Sequence, residues 1–216
     1  MFQLSRGGTT VRAGAEELAR LRAEFGQQQC IHLPRVIEGP FAQALLDAID
    51  RSEFYERVHP EAGTPPPVDW CLRDERLSGE LSFLLNDGPI LALVQEVTGC
   101  QVGSFRGVVY RLEPGRGYDA WHDDVGHHRL IAISINLSRQ VYAGGLLQLR
   151  DRGSGRVLRE VANTGLGDAT LFRIAPHLEH RVTEIHGEVP RTAFAGWFVS
   201  EPDFMTLLKA RSRPAA

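Results

Sequence analysis

Apolar residues recur at helical spacing in the first half of the chain and at strand spacing in the second. Between Ala15 and Phe25, Leu18, Leu21 and Phe25 fall on one helical face, and Gly26 offers a stop. Cys30 to Ile37 is a short extended run. Pro40 then opens a second helix whose buried stripe is Phe41, Leu45 and Ile49. Gly63 to Pro67 is too rich in proline for regular structure. A third helix is predicted from Pro89 to Thr98, capped by Asn86 or Asp87 and followed by Gly99.

Beyond Gly99 the pattern shifts to short runs rich in Val, Ile, Leu, Phe and Tyr, separated by turn residues. Eight strands are predicted: Gln101–Leu112, Tyr118–Asp124, Arg129–Leu137, Gly145–Leu149, Arg156–Ala162, Ala169–Ile174, His180–Ile185 and Arg191–Val199. Regular punctuation of this kind suggests a double-sheet jelly roll, although periodicity alone does not separate it from another β-sandwich. The expected organisation is a single domain over residues 1–216. A mainly helical support covers 1–99, a mostly β jelly-roll core covers 100–200, and a C-terminal tail covers 205–216.

A chain of 216 residues suits one hydrophobic core. Its net charge of −3 at pH 7 disfavours binding to a phosphate backbone, and nucleobase repair with it. The basic residues Lys209, Arg211 and Arg213 are terminal, and a frayed end is expected there. Cys30, Cys71 and Cys100 form no closely spaced pair and no disulfide framework, which favours a reducing cytoplasm. The first fourteen residues hold no apolar signal segment, and no stretch reaches the ~20 apolar residues of a membrane span, so no membrane partner is expected.

The most informative residues are Trp121, His122, Asp123 and Asp124. On a strand, residues i and i+2 share a face about 6.6 Å apart, so His122 and Asp124 can lean towards one ion while Asp123 points away. A third ligand must come from a neighbouring strand. His180, at the predicted start of a later strand, is placed for this, because the second and seventh strands of a jelly roll are antiparallel neighbours. His177, three residues earlier, is the rival and falls in a loop. Two imidazoles and one carboxylate leave three positions open, the arrangement of non-haem Fe(II) oxygenases; a structural zinc site would be closed by four ligands, usually with cysteine. Taken alone, a His-x-Asp sequence is weak evidence and often reflects surface polarity. Arg191 opens the last strand, and a buried guanidinium there needs a partner. A dicarboxylate would serve, gripped by the planar fork; so would a structural salt bridge.

These pieces stand in a fixed order. Tyr110 precedes Pro114 and Gly115, then come His122 to Asp124, Gly144 to Leu146, Gly167 to Phe172, His180 to Val182, Arg191, and Trp197 with Phe198. In that order they resemble the 2-oxoglutarate/Fe(II)-dependent dioxygenase superfamily, in its prolyl-4-hydroxylase-like branch, from about Phe105 to Phe198. The resemblance implies that His122, Asp124 and His180 bind Fe(II). It implies that Arg191 binds the distal carboxylate of the co-substrate 2-oxoglutarate; Tyr110 is either a hydrogen-bond donor to it or part of the core, and Asn136 either reaches the co-substrate or serves a strand-end turn. The position two residues after the arginine is Ala193 where many relatives carry a hydroxyl, which leaves a hydroxyl to be found elsewhere. The implied reaction consumes O2 and 2-oxoglutarate, releases succinate and CO2, and hydroxylates an unactivated C–H bond of a small-molecule or peptide substrate. The aspartate at 124 argues against halogenation. Trp121, Phe172 and Trp197 are candidate pocket walls, and His127 and His128 border the motif. Two alternatives stand: a jelly-roll metal enzyme that does not use 2-oxoglutarate, and a non-catalytic ligand-binding jelly roll.

Overall fold

A computed structural model of the chain describes residues 2–60, 66–162 and 165–212. The proline-rich loop expected at Gly63–Pro67 thus lies mostly outside the described residues. In chain order the elements are the hairpin β1 (Phe2–Ser5) and β2 (Gly8–Val11), α1 (Ala15–Gln28), β3 (Cys30–Leu33) and α2 (Gly39–Asp50). A second hairpin, β4 (Phe54–Val58) and β5 (Val68–Leu72), precedes α3 (Glu75–Leu85) and α4 (Gly88–Thr98). Then follow β6 (Ser104–Leu112), β7 (Asp119–His122), β8 (Arg129–Asn136), β9 (Ala143–Gly144), β10 (Leu147–Asp151), β11 (Val157–Val161), β12 (Ala169–Arg173), β13 (Leu178–Val182), β14 (Ile185–His186), β15 (Arg191–Val199) and α5 (Phe204–Ser212).

The larger sheet has seven strands in the order β3-β12-β8-β15-β6-β5-β4, and the smaller has four in the order β11-β10-β13-β7. Their pairings are antiparallel throughout. Strand β8 shows why the larger sheet lies buried on both faces. Ile131, Ile133 and Ile135 join the core shared with the helices, including Phe25, Leu45 and Ile90. Ala132, one step out of phase, joins a second core with Phe172, Leu147, Leu149 and Val182 from across the sheets. Period-2 alternation therefore sorts one strand between two apolar cores rather than between core and water. The result is the jelly roll expected from the sequence.

Several local expectations are corrected. Helix α1 runs past Gly26 to Gln28, and Gln29 ends it with a left-handed φ of 56° and an N–H bonded to Phe25 O. The segment expected to be mainly helical also carries four short strands, β1, β2, β4 and β5, and a further helix, α3, that were not anticipated. The tail expected from 205 onward is helical to Ser212; Thr206 Oγ1 donates to Asn86 Oδ1 at 3.1 Å, and Lys209 sits over the Phe83 ring. No single helix is long and apolar enough to cross a membrane.

At the centre of the larger sheet Gly107 on β6 faces Gly196 on β15. A Cβ at Gly196 would meet Arg106 O at 2.0 Å and Gly107 Cα at 2.5 Å. We expect Gly196→Ala to lose stability by at least about 1–3 kcal/mol, the usual cost of overpacking, measured as a lower urea midpoint. An unchanged midpoint would show that the strands part without cost.

Candidate metal and co-substrate site

A cavity of about 530 Å³ opens between the two sheets, within the range of about 300–1,000 Å³ typical of small-ligand sites. Strand β7 brings His122 to one wall, and β13 places His180 directly opposite it in the antiparallel register. Their ring centroids are 4.1 Å apart. Asp124 joins them: its Oδ2 lies 3.7 Å from His122 Nε2 and 3.4 Å from His180 Nε2. One ligand atom from each of the three residues lies within 4.8 Å of the others, close enough for one ion.

Two details of the local geometry differ from the sequence expectation. Strand β7 ends at His122, so Asp124 is not carried by the pleat. It reaches the cluster from a turn, with φ 56°, a left-handed conformation that Asp tolerates better than most residues. Asp123 builds that turn: its Oδ1 accepts from Val125 N at 3.0 Å and its Oδ2 from Arg152 Nη1 at 2.9 Å. Strand β13 starts at Leu178 rather than at His180, which puts His180 in mid-strand. His177 precedes the strand in an exposed turn, and His127 and His128 are also exposed, with left-handed φ of 48° and 61°.

The donor set fits a divalent cation of the iron type. Nδ1 of His122 bonds Ala120 O at 2.7 Å, a contact in which only the ring nitrogen can donate, so the acceptor lone pair falls on Nε2, facing the cluster. The Asp124 carboxylate is fixed from outside: Arg129 Nη1 donates to Oδ1 at 3.1 Å and Trp197 Nε1 to Oδ2 at 2.8 Å. Arg129 also stacks on the Trp197 ring at 3.8 Å. Outer partners of this kind orient ligands and sharpen affinity.

Protonation follows from this crowding. Burial pulls His122 down, but its hydrogen bonds to Asp124 and to Ala120 O outweigh that and raise its pKa to about 9. Burial pushes Asp124 up, yet bonds from His122 and His180 hold it well below the usual carboxylate range. His180, more deeply buried, is lowered by desolvation despite Asp124. Near neutral pH the metal-free cluster therefore holds one extra proton, on His122, and a cation must displace it. Metal binding should release about one proton between pH 6 and 9, with apparent affinity rising as pH rises and levelling off above about 9. Calorimetric titration in buffers of different ionisation enthalpy measures this; no proton release at pH 7 would contradict the assignment.

At the other end of the cavity lies Arg191, 2% exposed. Its Nη1 donates to Tyr110 OH, and its Nη2 to Ser134 Oγ at 2.9 Å. No carboxylate among the described residues lies within ion-pair distance of it. A buried, permanently charged group hydrogen-bonded to two hydroxyls, with Asp119 acting on it across the cavity but without a direct ion pair, has the chemistry to receive an anion. Burial raises the Tyr110 hydroxyl, against the pull of the Arg191 charge, to about 12, so it remains a neutral hydroxyl.

The structure therefore brings Tyr110 to Arg191 but not Asn136. Asn136 sits past the cavity, where its amide donates to Gly165 O at 3.0 Å and its Oδ1 accepts from Ser138 N at 3.1 Å; of its two expected roles these bonds match the strand-end turn and not the reach to the co-substrate. Ser134, on the same strand face, supplies a hydroxyl where Ala193 lacks one. Trp121, Phe172 and Trp197 all line the cavity. Sequence reasoning missed Ser134, Arg129 and Asp119 in this role, together with Arg57, His59 and Asp69 from the β4–β5 hairpin.

Two antiparallel sheets enclosing a His–Asp–His cluster and an unpaired arginine define a jelly-roll metal oxygenase. Over residues 107–199 the chain matches the 2OG-Fe(II) oxygenase superfamily model. It is a 2-oxoglutarate-dependent dioxygenase. No curated protein matches the chain by sequence. Among solved structures, it is similar to an oxidoreductase of the 2OG-Fe(II) oxygenase family from Burkholderia pseudomallei, at 14% identity and a TM-score of 0.68, covering 89% of this chain and 95% of that one. It is similar to a prolyl hydroxylase from Trichoplax adhaerens solved with a hypoxia inducible factor peptide fragment, at 13% identity and a TM-score of 0.61, covering 94% and 98%. It is also similar to SnoN, a non-heme alpha ketoglutarate dependent epimerase from nogalamycin biosynthesis, at 17% identity and a TM-score of 0.63, covering 86% and 84%.

Proposed function

We propose that His122, Asp124 and His180 hold Fe(II), that Arg191 with Tyr110 and Ser134 holds the distal carboxylate of 2-oxoglutarate, and that the enzyme hydroxylates a C–H bond of a peptide side chain or small molecule. The observation that carries this reading is the pairing of two unmet demands in one cavity. One is a three-ligand cluster with open positions; the other is a buried guanidinium hydrogen-bonded to two hydroxyls, on which Asp119 acts without a direct ion pair. A five-carbon diacid with one end at the metal and the other at Arg191 meets both. When bound, iron and the keto acid activate O2, and the keto acid leaves as succinate and CO2.

This chain's own residues do the rest. Arg129 and Trp197 hold Asp124 aligned. Tyr110 and Ser134 hold the Arg191 fork in place. Trp121, Phe172 and Trp197 shape the space beside the metal and exclude water from it. The free thiols Cys30, Cys71 and Cys100 favour a cytoplasmic setting. The test is succinate release from 2-oxoglutarate by the anaerobically reconstituted Fe(II) enzyme on admitting O2, with a screen of amino acids, peptides and small molecules for stimulation. Metal binding without any succinate would instead favour a metal enzyme that does not use 2-oxoglutarate.

A further inference from the structure

A third polar cluster faces the cavity from the β4–β5 hairpin, outside the segment that matches the superfamily. Arg57 and Asp69 are direct partners in the hairpin register. Asp69 is 3% exposed; its two oxygens accept from Arg57 Nε at 2.9 Å and Nη2 at 2.6 Å, and its Oδ2 lies 3.2 Å from His59 Nε2. The Cys71 thiol approaches Oδ1 at 3.8 Å. The carboxylate is thus engaged within the cluster and is no receptor for a cation.

Arg57 is placed differently. Its side chain is 45% exposed, and it borders the cavity together with His59. A guanidinium presents five N–H donors along separate edges. The edge formed by Nε and Nη2 is spent on Asp69, whereas Nη1 has no partner among the described residues, which leaves the outer edge open. The ladder between β5 and β6 includes only Trp70 with Arg111 and Cys71 with Tyr110, so the hairpin end that bears Arg57 and Asp69 is not zipped to β6. The other two arginines of the cavity wall are already engaged, Arg191 with Tyr110 and Ser134, and Arg129 with Asp124 and the Trp197 ring.

We propose that Arg57, oriented by Asp69 and flanked by His59, receives a carboxylate on the substrate that is oxidised. The inference rests on the oxygenase reading above and adds a substrate class to it. Asp69 is a positioning residue: it locks the guanidinium plane so that the free edge meets a planar two-oxygen acceptor without a search over rotamers. The carboxylate can belong to a free acid, such as an amino acid, or to an acidic side chain of a peptide.

The test measures succinate release by the Fe(II)·2-oxoglutarate enzyme above its substrate-free baseline. The panel pairs free amino acids and their N-acetyl forms with the matching carboxamides, and Asp- or Glu-containing pentapeptides with their Asn or Gln counterparts. Acids should stimulate and their amides should do so at least about tenfold less, with the responding arm identifying the source. For a responding acid, Arg57→Ala should raise KM at least about tenfold, and Arg57→Lys should recover part of that. Asp69→Asn should raise KM with kcat largely kept, because it loosens the fork without touching the chemistry. Arg116→Ala, which alters a residue stacked on Trp70 outside the cavity, is the control and should change nothing. Amides as effective as acids, no stimulation by any acid, or an unchanged KM in Arg57→Ala would each overturn the proposal while the succinate baseline leaves the oxygenase reading standing. Absence of both the baseline and the 2-oxoglutarate charge-transfer band would overturn both.

Discussion

His180→Ala should abolish turnover and lower Fe(II) affinity more than about 100-fold, because losing a mere outer partner of a ligand already costs about 10–100-fold. Asp124→Ala should do the same, and it also leaves Arg129 and the two histidines without their shared carboxylate. His177→Ala should keep both iron and activity. The contrast is sharp because the two histidines are three residues apart yet lie in different settings. His180 is 6% exposed in mid-strand opposite His122, whereas His177 lies in an exposed turn whose backbone carbonyl accepts from Arg152 N. Equilibrium binding of Fe(II) under anaerobic conditions reads the outcome. Iron retained in His180→Ala but lost in His177→Ala would move the ligand to the turn, and iron retained in Asp124→Ala would sink the cluster as a metal site.

What the sequence made legible follows from which forces act locally. Ile131, Ile133 and Ile135 alternate with Ala132, Ser134 and Asn136, so the pleat of β8 was readable. So were α2 and α4, where proline sits near the start and one apolar face runs through each helix. The pairing of the strands that carry His180 and His122 was readable once eight strands were counted, because it follows from strand order; the register that sets the two residues opposite each other was not. The backbone at Asp124 was not. A strand through 118–124 and a strand ending at His122 followed by a turn make the same prediction for which side chains meet, and only the left-handed φ separates them. The β4–β5 hairpin was hidden for another reason. Strand β4 shows no clear alternation, with Glu56 and Arg57 adjacent and Tyr55 beside Phe54, although β5 alternates Val68, Trp70 and Leu72 with Asp69 and Cys71. Its signal lies in a long-range ion pair, which no local pattern encodes. Ser134 and Asn136 share a face by parity; what assigns one to Arg191 and the other to the turn is where the strand ends.

Arg191→Ala should spare iron binding while weakening 2-oxoglutarate binding by at least about tenfold. The metal-chelated end of the co-substrate keeps its contacts, so the change falls on the distal carboxylate. Truncating one side of a charge-assisted pair in a dry pocket costs about 2–5 kcal/mol, and every ~1.4 kcal/mol is a factor of ten. The 2% exposure of Arg191 places this site at the dry end of that range, since little water replaces the lost donor. The substitution also strands Tyr110 and Ser134, whose hydroxyls face the guanidinium; they can turn towards the carboxylate and offset part of the loss. For that reason Tyr110→Phe in the Arg191→Ala background should weaken binding further, whereas alone it should cost only a few fold. Arg191→Lys should recover part of the affinity, because an ammonium keeps the charge but cannot reach both hydroxyls and the carboxylate in one plane. The measurement is anaerobic titration of the Fe(II) form with 2-oxoglutarate, followed by its metal-to-ligand charge-transfer band. An affinity unchanged in Arg191→Ala would mean that the distal carboxylate is held elsewhere in the cavity, with Arg57 the next residue to replace.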